Sequence, residues 1–324
     1  MQKRFSLFLV VLLIVFQPVY TPAIASDLKI EIIQIKDSGS SPFWSPNGKE
    51  IVYIDKDGLY TVSAYAHNKG RKIVSGPVRF PRWSPDGKYI AYVDRDGLKI
   101  ISSYVSGQSK LTYPDNKVQM PVWSPDSKWI TFYLSDLQGE EGSGVFAVNI
   151  DTLQSKQLSY TGINPGWGSD GKSVFYFTDN DKSQGFGQLF LANLDNIGVR
   201  KLAPIGAVCM NFNPQGSLLA FAPKREDGTS LGIYLASPFK KDDEPIKLSD
   251  DGYFPSFSFD GNWMSFFKYD SQIKDTKIYI TPPTGGELIE IGNGIYPRWS
   301  PNKNELVYEM LGVKGGIYVA KISD

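Results

Sequence analysis

The stretch "PRWSPDGK" beginning at Pro81 is one of seven related segments in a chain of 324 residues. The others begin at Pro42 ("PFWSPNGK"), Pro121 ("PVWSPDSK"), Pro165 ("PGWGSDGK"), Met210 ("MNFNPQGS"), Pro255 ("PSFSFDGN") and Pro297 ("PRWSPNKN"). Successive copies are 39, 40, 44, 45, 45 and 42 residues apart. A period of this length constrains the fold more than any other feature of the sequence. It matches a unit of four short strands, which can bury its faces only against further copies of itself.

The agreement extends past the motif. A column of apolar residues follows each turn (Ile51, Ile90, Ile130, Val174, Leu219, Met264, Leu306). Two positions on stands a column of aromatics (Tyr53, Tyr92, Phe132, Tyr176, Phe221, Phe266, Tyr308). This period-2 spacing predicts a strand, and its apolar lean on both sides predicts cover on both faces. The motif Trp, replaced by Phe212 and Phe257 in two copies, is expected between repeats. The Asp-Gly or Asn-Gly pair is expected to supply the positive-φ residues of a tight hairpin. A third strand follows each copy ("LKII" from Leu98, "IYVA" from Ile317). Six outer strands follow the first six copies ("KIVS" from Lys72, "LIEI" from Leu288). The seventh is available at the start, in "LKIEIIQI" from Leu28. The expected fold is therefore all-β: a β-propeller of four-stranded blades closed by an N-terminal strand. Seven blades are counted, with six as the alternative.

Residues 1–25 read as a signal peptide. Lys3 and Arg4 precede the apolar "FSLFLVVLLIVF", and Ala23 and Ala25 mark a small-residue cleavage site. Residues 26–324 are then a single propeller domain, periplasmic or secreted, with no membrane span after cleavage. Lys plus Arg equals Asp plus Glu at 34 each, so no bulk field favours nucleic acid. Cys209 is the sole cysteine, so the fold cannot use an internal disulfide.

The pattern P-x-W-S-P-D-G-K-x-I-A-Y resembles the WD40-like repeat of the TolB-type family, over essentially the whole mature chain. That resemblance implies an exported propeller that binds protein partners. TolB itself carries an α/β domain before a six-bladed propeller. Here the first strand follows the leader directly and seven blades are counted, so the chain is expected not to be a complete TolB. Related repeats also occur in propellers of prolyl-oligopeptidase-type peptidases and of some sugar lyases.

Catalytic motifs are weak. "GTSLG" from Gly228 matches G-x-S-x-G, but it lies between two strands, without the helix that a nucleophile elbow requires. The only histidine is His67, so neither a Ser-His pair nor a His-rich metal centre is expected. "DKDG" from Asp55 and "DRDG" from Asp94 read as hairpin turns; they lack the later ligands of a calcium loop. Weak calcium binding is the alternative reading for the acidic "DNDKSQG" from Asp179. No cofactor or metal is expected. Cys209 reads as a buried packing residue.

Binding is expected on the rim that carries the loops between second and third strands. These lengthen in repeats three to six, from Ser135, Thr178, Pro223 and Lys268. Aromatic and arginine residues around the first strands are the candidate contacts: Phe43, Arg79, Phe80, Arg82, Tyr253, Phe254, Tyr296 and Arg298. The leading expectation is a monomeric, non-enzymatic protein that binds an envelope or secreted protein, with a peptide or glycan as other ligands. The alternative is an enzyme, or enzyme subunit, acting on polysaccharide or peptide with rim carboxylates.

Overall fold

The computed structural model describes residues 28–65, 69–104, 108–134, 143–178, 188–195, 198–203, 209–223, 229–237 and 245–323. The leader, His67 and most of the long loops from Ser135, Thr178 and Pro223 lie outside these residues. Seven four-stranded antiparallel sheets are present. In blade 2 the strands are Arg79–Trp83, Tyr89–Val93, Leu98–Ser102 and Lys110–Tyr113, in that spatial order. The other innermost strands are Ser40–Trp44, Val118–Trp123, Ile163–Trp167, Met210–Phe212, Tyr253–Phe257 and Ile295–Trp299. Each touches the innermost strand of the blade on either side, and the last touches the first, so they ring a common axis. The protein is a seven-bladed β-propeller.

Closure follows the expected route. The strand Lys29–Lys36 pairs antiparallel with Gly316–Ser323, with Ile30 opposite Ile322 and Ile32 opposite Ala320. It completes the last blade from the other end of the chain. The core is a set of layers between blades. Trp44, Ile51 and Tyr53 of blade 1 pack with Val307, Ile317 and Val319 of blade 7 and with Ile35 of the closing strand. All seven aromatics of the second-strand column are buried. Among the described residues, no helix is long and apolar enough to cross a membrane.

The motif turn differs from the expected tight hairpin with positive φ at both residues of the Asp-Gly pair. In blade 2 the Gly87 N–H donates to the Ser84 carbonyl at 2.9 Å, and the Ser84 N–H donates to the Tyr89 carbonyl at 2.8 Å. The loop thus holds four residues, and only the glycine is left-handed (Gly87, φ 73°). Asp86 instead works through its side chain. Its Oδ1 accepts from Ser84 Oγ at 2.7 Å and from the Lys88 N–H at 3.0 Å. Ser84 Oγ in turn accepts the Tyr89 N–H at 2.9 Å. The same pattern recurs at Ser45–Asn47, Ser124–Asp126 and Ser258–Asp260. A short polar side chain that satisfies nearby N–H groups is what makes Asp and Asn turn residues here.

The motif proline has a second consequence. It cannot donate to the ladder, so a strand containing it must be an edge or carry a bulge. In six blades the innermost strand slips register around this proline, as between Arg79 and Arg82. The residue before it is left-handed each time: Ser41, Phe80, Met120, Asn164, Phe254 and Tyr296, with φ from 48° to 56°. Blade 5 is the internal control. Met210 replaces the proline, and its strand pairs in straight register: Met210 with Phe221, Asn211 with Ala220, Phe212 with Leu219. Positive φ in the bulky members of this set, Phe80, Met120, Phe254 and Tyr296, is strained. The residue after the proline resumes regular pairing beyond the bulge, as Arg82 does opposite Ala91.

Candidate functional site

The residues that follow the proline, or Met210, form the inner ring: Phe43, Arg82, Val122, Gly166, Asn211, Ser256 and Arg298. Three of them come together. The Arg82 guanidinium carbon lies 3.9 Å from the Phe43 ring centre, and that of Arg298 lies 4.8 Å from the same centre. Blades 2 and 7 flank blade 1, so the two arginines approach Phe43 from both neighbouring blades. Their guanidinium carbons are therefore within about 9 Å of each other, near enough for mutual repulsion to matter.

These guanidiniums are poorly satisfied. Arg82 Nη1 donates to its neighbour's carbonyl, Pro81 O, at 2.8 Å. Arg298 Nε is buried without a hydrogen-bond partner. Burial lowers the Arg82 pKa well below its ordinary value, and the Arg298 charge lowers it further. Burial likewise lowers that of Arg298. Among the described residues no carboxylate forms an ion pair with either one. Phe43 offers its π face, which offsets part of the desolvation, about 2 kcal/mol for a desolvated cation.

The remaining candidates separate into two groups. Phe254 and Tyr296 meet edge to face at 4.7 Å, and both pack on Phe267, at 5.8 and 5.6 Å. Tyr253 stacks on Phe267 at 5.7 Å, and its hydroxyl accepts the Ser230 N–H at 3.0 Å. This aromatic block is half-buried against the layer between blades 6 and 7. Phe80 packs similarly against the layer between blades 2 and 3. Arg79 is exposed; its guanidinium lies 5.8 Å from the Phe80 ring and bonds the Asn116 carbonyl. It borders a rim cleft of about 1030 Å³ that also includes Asp94, Arg95, Lys99 and Lys117. There Lys99 bridges Asp94 at 2.8 Å and Asp96 at 2.6 Å.

Glu309 was not among the candidates. It sits at the end of the second strand of blade 7, directly after the buried Tyr308. The corresponding residues elsewhere are Ile54, Val93, Tyr133, Phe177, Ala222 and Phe267. One carboxylate in an otherwise uncharged column was the legible signal. Glu309 is buried, which raises its pKa, while the hydrogen bond from the Ser41 N–H opposes that rise. Its charge also contributes to the raised pKa of Tyr296, for which burial is the larger cause.

The other motifs resolve as structure. Ser230 Oγ donates to the Gly252 carbonyl at 2.6 Å and accepts the Gly232 N–H at 3.0 Å. The strand Ile233–Ala236 follows it, so the G-x-S-x-G match is not a nucleophile elbow. Asp55 pairs with Gly58 at the end of a hairpin ladder, and Asp94 closes the same turn in blade 2. Cys209 is buried, its Sγ accepts the Phe254 N–H at 3.2 Å, and burial pushes the thiol up to about 12. The acidic segment from Asp179 lies outside the described residues.

Comparison with known proteins places this geometry among propellers. No family profile matches the sequence, and no curated protein does. Among solved structures, the chain is similar to an oligogalacturonate lyase from Vibrio parahaemolyticus. The TM-score is 0.71 at 15% identity, covering 92% of this chain and 97% of that one. It is also similar to TolB from Acinetobacter baumannii, with a TM-score of 0.53 at 14% identity over 84% of this chain and 79% of that one. The β-propeller domain of Cps50 (Swd1) from Myceliophteria thermophila gives 0.66 at 12%, over 90% and 98%. The likeness is one of fold. TolB proteins and WD40-like propellers share the architecture with this chain, and at these identities activity has to be argued from the site.

Proposed function

We propose that this chain is an exported, non-enzymatic propeller that binds a protein partner at its loop-rich rim, with the arginine–phenylalanine cluster at mid-strand on the ring's inner face as the centre of contact. The observation that carries this reading is the pair Arg82 and Arg298 on one Phe43 ring, with a buried, unbonded Arg298 Nε. Arginine and aromatic side chains in desolvated settings dominate binding energies. A structural core has no need of two adjacent half-buried cations, because apolar residues pack there at lower cost. Export is read from the leader: cleavage after Ala25 leaves residues 26–324 as one domain in the periplasm or outside the cell.

The test is a pull-down from an envelope extract with wild-type protein beside an Arg82→Ala/Arg298→Ala/Tyr296→Ala variant of matched melting behaviour. The wild type is expected to retain a partner that the variant loses. Retention of the same set by both removes the rim from the binding role. N-terminal sequencing of the exported protein checks cleavage, which is expected to expose Ser26.

The enzyme class is the second reading, favoured by one observation: Glu309, a buried carboxylate whose pKa is raised, lies near Tyr296 behind the same rim. Depolymerisation of acidic polysaccharide, abolished by Glu309→Gln, is its test. Binding is preferred because the Glu309 carboxylate is already held by the Ser41 N–H.

A further inference from the structure

We propose that Arg82 and Arg298 form a site inside the propeller axis for a single carboxylate group, presented by a ligand that reaches in from the loop-rich rim. This deepens the preceding proposal and rests on its reading of the arginine cluster as a contact site.

Four observations converge on it. First, both arginines come from the post-proline position of a bulged innermost strand, and both reach the same ring. Second, their donors are left over. Arg82 has one described hydrogen bond for its five N–H groups, and Arg298 Nε is buried with none. Third, neither has a carboxylate partner among the described residues. Glu309, on the second strand of blade 7, is bound instead to the Ser41 N–H at 3.0 Å. Fourth, guanidinium stays charged in proteins, so the pair places two positive charges side by side in a half-buried setting with no ion-pair partner among the described residues.

An anion shared by the two guanidiniums relieves that repulsion and satisfies the idle donors. A planar carboxylate matches the guanidinium fork in shape and spacing. The neighbouring ring positions decide how many charges fit. Phe43, Val122, Gly166, Asn211 and Ser256 are all uncharged. These positions add no further cation to the two arginines, so a polyanion such as an acidic polysaccharide has one place to bind among them rather than a series. Phe43 forms an apolar floor that suits the carbon attached to the carboxylate.

The carboxylate can belong to a small acid or to a peptide chain, and the experiment separates these. Binding to the full mature chain is measured by calorimetry at constant ionic strength. The probes are succinate, a short peptide with a free C-terminus, the same peptide amidated, sodium sulfate and a galacturonate oligomer series. Succinate or the free-terminus peptide is expected to bind, and the amidated peptide, lacking acidic side chains, is not. Binding of the free peptide without succinate identifies a chain terminus as the source; binding of succinate as well identifies the carboxylate alone as sufficient.

An Arg82→Gln/Arg298→Gln variant is expected to lose about tenfold or more in affinity, the equivalent of one charge-assisted hydrogen bond. Arg82→Lys and Arg298→Lys keep the charge without the fork, so they are expected to fold and to bind more weakly than wild type. The proposal is overturned if neither carboxylate probe binds above a chloride control. It is overturned equally if sulfate binds as tightly as succinate, if galacturonate affinity climbs steadily with chain length, or if the Lys variants bind as wild type. Arginine-dependent carboxylate binding without a retained partner in the pull-down defeats only the partner reading. A partner retained through the rim without carboxylate binding defeats only the present one.

Discussion

The Glu309 carboxylate accepts the backbone N–H of Ser41 at 3.0 Å, across the seam where the last blade meets the first. Its donor is one of the six left-handed residues before the motif prolines. The seam is reinforced by Trp44 Nε1, which donates to the Arg298 carbonyl at 3.0 Å. It is held at the opposite rim by Tyr65, whose hydroxyl donates to Glu305 Oε2 at 2.8 Å. Closure of the ring and the arginine cluster are thus built from the same few strands.

Burial raises the Glu309 pKa, and Ser41 only partly opposes this, so the folded state binds this proton more tightly than the unfolded chain. The contribution favours folding below the ordinary Glu value and is lost as pH rises through the folded value. Glu309→Gln keeps an acceptor for Ser41 without the charge. Its melting temperature at pH 7 is expected to equal or exceed that of wild type by about 2–4 °C, with a flatter dependence between pH 4 and 7. A lower melting point at pH 7 contradicts this.

The carboxylates of the motif turns have the opposite sign. Burial raises the Asp86 pKa, but hydrogen bonds from Ser84 and the Lys88 N–H outweigh it and leave it lowered; Asp170 and Asp260 are lowered in the same manner. Their stabilisation is present above the ordinary Asp value and lost as pH falls through the folded values. Asp86→Ala is expected to cost about 1 kcal/mol, and Asp86→Asn clearly less. Chemical denaturation at pH 7 measures both, and equal costs rule out the side-chain acceptor as the reason.

Trp123 and Trp83 occupy equivalent positions with different hydrogen bonding. Trp123 Nε1 donates to the Arg82 carbonyl at 3.1 Å, whereas Trp83 Nε1 is buried without a partner. Trp123→Phe is therefore expected to destabilise by about 1 kcal/mol more than Trp83→Phe. Denaturation midpoints of the two variants decide it; a larger loss at Trp83 reverses the assignment.

Removal of residues 28–35 exposes the edge of the last blade and takes away the buried Ile35. The expected cost is about 3 kcal/mol or more, a fall of roughly 10 °C in melting temperature. Unchanged melting excludes the closing strand from the stability of the ring.

Cys209 is expected to be inert towards a thiol reagent in the native protein and reactive once unfolded, since its thiol is buried and pushed up to about 12. Stoichiometric labelling under native conditions runs against that.

Blade number, strand order and the closing strand were legible because each depends on periodicity, and period-2 and 40-residue patterns survive in one sequence. The bulge was half legible. The proline announced a break in the ladder, but its position before an inward-facing residue needed three-dimensional strands. The turn was misjudged because Asp-Gly is compatible with two loop lengths; the Ser84–Asp86 hydrogen bond selects the longer one.

Of the candidate site, Phe43, Arg82 and Arg298 were each visible as departures from a repeating motif. Their meeting was not, because Arg298 and Phe43 are at opposite ends of the chain. Glu309 stood out in its column but was overlooked. The sequence alone determined a closed ring of four-stranded blades, seven by count with six as the alternative, since every repeat must bury two apolar faces and only neighbours can cover them. The tertiary structure decided which irregular residues share one place. Ring closure joins blade 7 to blade 1, and that contact brings Arg298 onto the aromatic ring that Arg82 of the neighbouring blade 2 also covers.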